Sequence, residues 1–305
     1  MSFHRTPSGL SNLRLFYGVG IVVFVEGGPS ITADAAVGGA GAPKAADISF
    51  WQNVFRLRRS RQPIKFRAVG SKTALLDIAA RVVSRDVRHV VVAMDRDYDH
   101  FNGCLLQAPG VMYTFGYSWE NDVWTDPDVV AEVFYTVAPV CRATFDVADQ
   151  VAGALRGFCG RMRRFIRVDV SCNRQGVQFL PKESPERLIH VRSNSAPEIN
   201  RAGLRTCITR AKAARQGKVQ APGLVASPER DCCGHLIECF AYQLVCHLAR
   251  SHGVKSVPKD LARGIAINAF GSKLQRRPGS AVKLHYTAQL RRLRSARPVA
   301  PTKAP

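Results

Sequence analysis

The sequence predicts an α/β protein: a mostly parallel sheet flanked by helices, followed by a basic, mainly helical C-terminal region. Three observations carry that expectation. Two apolar, β-branched runs at 20–25 and 89–94 read as strands buried on both faces. A third extended run at 64–69 lies between them, set off on each side by a helix-length amphipathic stretch, which is the alternation of right-handed strand–helix–strand crossovers. Charge is divided unevenly. Residues 1–150 hold 15 Lys and Arg against 15 Asp and Glu, and residues 151–305 hold 29 against 8, so all of the net +21 falls in the second part.

The elements follow in order. Residues 1–18 are a lead-in, and strand one covers 19–26, ending in Glu26-Gly27. Residues 27–46 are rich in Gly and Ala and read as a surface insertion. Asp47 is an N-cap for a helix over 48–60 with Phe50, Trp51, Val54, Phe55 and Leu57 on its apolar face. A strand at 64–69 turns at Gly70-Ser71 into a helix over 72–85, with Leu75, Leu76, Ile78, Ala79 and Val82 inward. Strand three, 89–94, runs into Asp95-Arg96-Asp97-Tyr98-Asp99, and a fourth strand covers 111–115. Helical segments follow from 119, over 126–136 and over 146–164. Residues 171–232 look loop-heavy, 234–252 form an amphipathic helix, 259–269 another, and 291–305 a disordered basic tail. The expected division is a catalytic core at 1–145, a nucleic-acid- or partner-binding region at 146–290, and the tail.

With 305 residues and 46% apolar composition the chain can bury a core. No apolar run approaches the roughly 20 residues that span a bilayer, so no membrane partner is expected. The opening lacks a secretory pattern, so the nine cysteines are expected as thiols in a reducing cytoplasm. A generally Arg-rich composition would explain the charge but not its asymmetry. A neutral half joined to a basic half suits catalysis joined to a grip on a polyanion.

Strand–helix alternation puts strands one and three side by side or nearly so, so Glu26 meets Asp95 and Asp97 at the carboxyl edge of the sheet, where open α/β sheets build their sites. In extended chain alternate residues share a side, and Asp99 extends the row. Carboxylates gathered in this way repel unless a cation neutralises them, and hard oxygen donors favour Mg2+ or Mn2+. The pattern predicts a divalent-metal phosphoryl-transfer site. The competing reading makes these acids helix caps or partners of Arg85, Arg88 and Arg96.

Val25-Glu26-Gly27, Asp47-x-x-Phe50-Trp51, Gly70-Ser71-Lys72, Met94-Asp95-Arg96-Asp97 and Gly116-Tyr117-Ser118-Trp119-Glu120-Asn121 run in an order that resembles TOPRIM-like domains over about residues 18–135, with a weaker echo at Gly234-His235-Leu236-Ile237. The last of the five resembles a segment of a TOPRIM family related to the overcoming-lysogenization-defect nucleases. One member of that family is the effector nuclease of the two-gene anti-phage system PARIS, whose other gene encodes an ABC-type ATPase. The resemblance implies Glu26 as acid/base or metal-bridging residue, Asp95 and Asp97 as metal ligands, Glu120 as completing the site, and Lys72 as steadying phosphate charge. It also implies a toxic effector held in check by an ATPase partner, with RNA, transfer RNA included, ahead of DNA as substrate. The insertion at 27–46 departs from the pattern.

Other motifs weigh less. Gly70-Ser71-Lys72-Thr73 fails the phosphate-loop pattern. Cys232, His235 and Cys239 lack the paired spacing of structural zinc and read as a core helix with small thiols. Tyr98 is expected to pack or hydrogen-bond. The clusters holding Arg161, Arg163, Arg164, Arg210, Lys212 and Arg215 are each most simply a solvated face, but together they suit a phosphate backbone. The expectation is therefore a Mg2+-dependent endonuclease with a basic nucleic-acid grip, a homodimer being compatible with it. The alternative is a non-catalytic nucleic-acid-binding or assembly subunit.

Overall fold

The computed structural model describes residues 7–29, 31–32, 35–36, 45–58, 62–84, 87–143, 145–192, 195–214 and 225–295. In chain order the elements are α1 (Pro7–Phe16), β1 (Ile21–Val25), α2 (Ala46–Phe55), β2 (Ile64–Ala68), α3 (Lys72–Val83), β3 (Val90–Met94), α4 (Asp99–Asn102), β4 (Val111–Tyr113), α5 (Trp119–Trp124), α6 (Pro127–Val137), α7 (Ala148–Asn173), β5 (Ile189–His190), β6 (Glu198–Ile199), α8 (Arg201–Ala214), α9 (Pro228–Asp231), α10 (Gly234–Ser251), α11 (Lys259–Arg276) and α12 (Ala281–Ser295). The chain divides into two compact units. One comprises Met1–Asp95, Leu106–Tyr113 and Gly271–Pro305, and the other Arg96–Leu105 and Thr114–Phe270.

The first unit is built on a four-stranded sheet of order β2-β1-β3-β4, parallel throughout. The two strands with the most continuous apolar runs take the central places, as burial on both faces requires. Edge strand β2 is mixed, with only Phe66 and Ala68 buried. Ser71 caps α3, which buries Leu75, Ile78 and Ala79. Helix α2 buries Phe50 and Trp51, and both rings stand edge-on to Tyr286 of α12, at 6.0 and 5.8 Å between centroids. The lead-in is not irregular: residues 7–16 are helical, with Leu10 and Leu13 buried one turn apart.

The second unit is helical. Its longest helix, α7, buries Val151, Leu155, Phe158, Met162, Ile166 and Val170 along one side. Residues 171–232, expected to be loop-heavy, contain a 3-10 turn at Pro185–Leu188, the short antiparallel pair β5/β6 and helix α8. The apolar signal of α8 is thin because it buries only Leu204, Cys207 and Ala211 among its 14 residues. In the first unit, helix α12 takes in the first five residues of the expected tail, and 296–305 lie outside the described residues. Among the described residues no helix is long and apolar enough to cross a membrane.

Candidate active site

In the first unit, β1 and β3 pair with Val25 opposite Ala93, so Glu26 and Asp95 leave the sheet at one edge. Both are half-buried. Gly27 and Gly70 join the loops after β1 and β2 by two main-chain hydrogen bonds, 3.3 and 2.7 Å, and both lie at positive φ, +95° and +84°. The Asp47 carboxylate packs so closely on Gly27 that a Cβ there would collide with it. Asp47 is therefore not the N-cap. That position is Ala45, with no side-chain bond, and Asp47 sits in the first turn, where the helix dipole favours an acid. Lys72, the first residue of α3, donates from Nζ to the Asp95 carbonyl oxygen at 2.9 Å. One of its three N–H donors thus holds the end of β3.

The run after β3 departs from the expected row of acids. Asp97 lies at φ +48°, and Asp99 is the first residue of α4, so the chain is not extended through them. What alternates is burial: Arg96 and Tyr98 are buried, while Asp95, Asp97 and Asp99 are half-buried. The buried partners are anchors within the second unit. Arg96 bonds Asp231 at 2.8 Å, and the same carboxylate oxygen lies 3.3 Å from His100 Nε2. The other Asp231 oxygen accepts the Ser227 N–H. Tyr98 donates to Asp169 at 2.7 Å, and the Leu180 N–H bonds the other Asp169 oxygen. Lys182 donates to the Tyr117 hydroxyl at 2.6 Å and lies over the rings of Tyr98 and Tyr117. Burial raises the Asp169 carboxyl above its ordinary value against the lowering pull of Tyr98, Leu180 and Lys182. Burial, then the Asp97 carboxylate, pushes the Tyr117 hydroxyl up.

Glu120, expected to complete the site, is 4% exposed and engaged otherwise. It accepts the Ser118 hydroxyl and faces His235 Nε2 at 3.4 Å, while His235 Nδ1 lies 3.3 Å from the Lys182 carbonyl. Burial raises its carboxyl, with His235 and Ser118 pulling it back. The Asn121 side chain closes a capping box on Ser118 and donates to the Glu229 and Cys232 carbonyls. Gly234 fits because a Cβ would collide with Ser118 Oγ. The two distant segments Ser118–Asn121 and Gly234-His235 form one clasp, and Glu120 lies within it.

Of the basic residues, Arg161, Arg163 and Arg164 are exposed on α7, and Lys212 is exposed on α8. Arg210 donates to the Phe179 carbonyl, and Arg215 lies outside the described residues. His235 faces Glu120 rather than Cys232 or Cys239. Burial pushes the Cys233 thiol up to about 12 and the Cys239 thiol up to about 11.

Among the described residues no three His, Cys, Asp or Glu side chains gather as a group able to hold a metal ion. No such group includes Glu26, Asp95, Asp97 or Asp99. Magnesium commonly takes only one or two carboxylates, with phosphate oxygens and waters completing its octahedron. Glu26 and Asp95, two hard oxygen donors at neighbouring strand ends, fit that smaller set. The residues that sequence reading missed are the anchors Asp231, Asp169 and Lys182, which lie 65 to 135 positions away from the residues they hold. Their one local signal was the alternation of Arg96, Tyr98 and His100 with the acids.

No protein-family model matches the chain, and neither a curated protein nor a solved structure matches it. The class is therefore defined by its own geometry: an α/β protein whose parallel sheet carries two acids at the carboxyl ends of its central strands.

Proposed function

We propose that this chain is a Mg2+-dependent endonuclease of TOPRIM type that hydrolyses phosphodiesters. The observation that carries the reading is the placement of Glu26 and Asp95 at one edge of adjacent parallel strands, in the motif order described above. Glu26 and Asp95 would hold the ion. Bound there, magnesium supplies charge neutralisation at the scissile phosphate and an activated water. Lys72 fixes the end of β3 that carries Asp95, which places an ammonium charge beside the site. The motif resemblance further proposes RNA, transfer RNA included, ahead of DNA, and a toxic anti-phage effector restrained by an ABC-type ATPase.

The test is purified wild type, Glu26→Ala and Asp95→Asn incubated with total RNA and with duplex DNA, with magnesium and with chelator. The expected result is magnesium-dependent cleavage by wild type and a loss of at least about 10²-fold in each variant, with unchanged melting temperature. Full activity in Glu26→Ala would remove the assignment. A second reading, a nucleic-acid-binding subunit without catalysis, draws on the engagement of Glu120 with Ser118 and His235. Nucleic acid bound but uncut under all conditions would favour it.

A further inference from the structure

Helix α7 presents two unlike sides. The packed side is apolar, and between residues 150 and 168 the helix contains no acid. Over that span it carries five arginines: Arg156, Arg161, Arg163 and Arg164 are exposed, and Arg167 is half-buried. At about 100° per residue Arg156, Arg163 and Arg167 fall in one row along the axis, and the row runs about 16 Å at 1.5 Å rise per residue. Arg161 and Arg164 stand to one side of that row. The same turns hold Gly153, Gly157 and Gly160, spaced four and three residues apart so that they line up beside the row.

The glycines have no internal reason to be there. A Cβ built at Gly153 or Gly160 meets nothing within 4 Å, and at Gly157 it meets only the Arg161 guanidinium, at 3.4 Å. Glycine in an exposed helix interior weakens the helix, and here Gly153 and Gly160 leave bare backbone on either side of Gly157, over which the Arg161 guanidinium lies. Both aromatic rings of the helix turn away from this side: Phe158 stacks on Phe240 and Phe165 on Phe179. The face offers charge and close approach, and no platform for bases.

We infer that this face of α7 is the seat of one sugar–phosphate strand of a nucleic-acid duplex, which lies along the glycine lane between the arginines. A row of guanidinium groups carried on one helix suits phosphates held at fixed spacing by a duplex, and phosphate contact carries position rather than sequence. A second copy of the chain would bring five like charges against five. The inference rests on the nucleic-acid part of the proposed function and is independent of cleavage.

The test is binding of the full chain, in chelator, to labelled 20-base-pair duplexes of RNA and of DNA across a salt series. For Arg156→Gln/Arg163→Gln/Arg164→Gln the expected result is a salt slope lower by roughly 2–3 and affinity down on the order of 10²-fold near physiological salt. Gly153→Leu/Gly160→Leu keeps every arginine and strengthens the helix. It is expected to raise the melting temperature yet weaken binding about tenfold, because the lane is filled. A larger loss on RNA than on DNA identifies an A-form strand as the occupant, and the reverse a B-form one. Unchanged affinity in either variant overturns the seat, as does failure of the wild type to bind any duplex. Conversion of a wild-type dimer to monomer in the arginine variant, with duplex affinity intact, overturns it in favour of self-association. A wild type that binds but never cuts removes the nuclease reading and leaves the seat. A wild type that cuts while the arginine variant binds normally does the reverse.

Discussion

The sheet edge of the first unit and the helical second unit handle polar groups in opposite ways. At the sheet edge the work is done by backbone: paired glycines at positive φ, a lysine on a carbonyl, and acids left half-buried at strand ends. In the second unit buried charged side chains face one another: Arg96 and His100 on Asp231, Tyr98 on Asp169, Arg263 on Glu238. Acids held half-buried at strand ends keep part of their surface open to water. A region that buries them against partners is fixed by those partners, and removing one leaves an unpaired charge in low dielectric.

The most severe way to break that contrast is Asp231→Ala. It strands Arg96, whose side chain is 7% exposed, together with His100 and the Ser227 N–H. Urea unfolding should show a loss of about 3–5 kcal/mol. A loss under about 1 kcal/mol would mean that water reaches Arg96, and the buried-partner account of the second unit would fail.

At the sheet edge the corresponding break is in the backbone. Gly27→Ala forces a Cβ into the Asp47 carboxylate at a positive φ, and should cost about 2 kcal/mol. Asp47→Ala in the same chain should recover the collision part and leave the φ part. Recovery of the whole loss would show that φ +95° carries no strain there.

How much was legible follows the same line. The parallel sheet and the edge position of Glu26 and Asp95 were readable because they are written in local runs: a strand's burial shows in its own five residues, whereas the direct pairing of β1 with β3 is settled by the structure. Ser71-Lys72 was readable as a turn into a helix for the same reason. The surroundings of Asp97 and Glu120 were not legible, because Tyr117 stands beside Asp97 and the clasp of Ser118 and His235 encloses Glu120. Periodicity cannot report a contact made across 65 or 115 positions. Helix α8 escaped because three buried residues among 14 scarcely modulate an otherwise basic stretch, and α1 because its two buried leucines stand in a short helix.

Tyr98→Phe sharpens the contrast with a pH dependence. The hydroxyl bond to Asp169 lowers that carboxyl, which burial has raised above its ordinary value. A raised folded-state value means that stability is fully present below the unfolded carboxylate range and lost as pH rises through the folded value. Removing the hydroxyl raises the folded value further. The variant should therefore lose about 1–2 kcal/mol near neutral pH and less at acid pH, below the folded value in both proteins. Equal losses at the two pH values would mean that Tyr98 acts through packing against Tyr117 alone.

The smallest effect has the opposite sign, and it separates glycines that the fold requires from glycines that it does not. Gly27 lies against a carboxylate at positive φ, whereas Gly160 sits inside a helix with open space where a Cβ would stand. Gly160→Ala should therefore stabilise the chain by roughly 0.5–1 kcal/mol, since alanine loses less backbone freedom on folding. A measured gain would mean that the native residue is held at a cost to stability, as expected where selection acts on what approaches the helix rather than on the helix itself. A loss would mean that the α7 face is covered within the folded protein, and the arginines beside it would then be structural rather than a surface offered to phosphate.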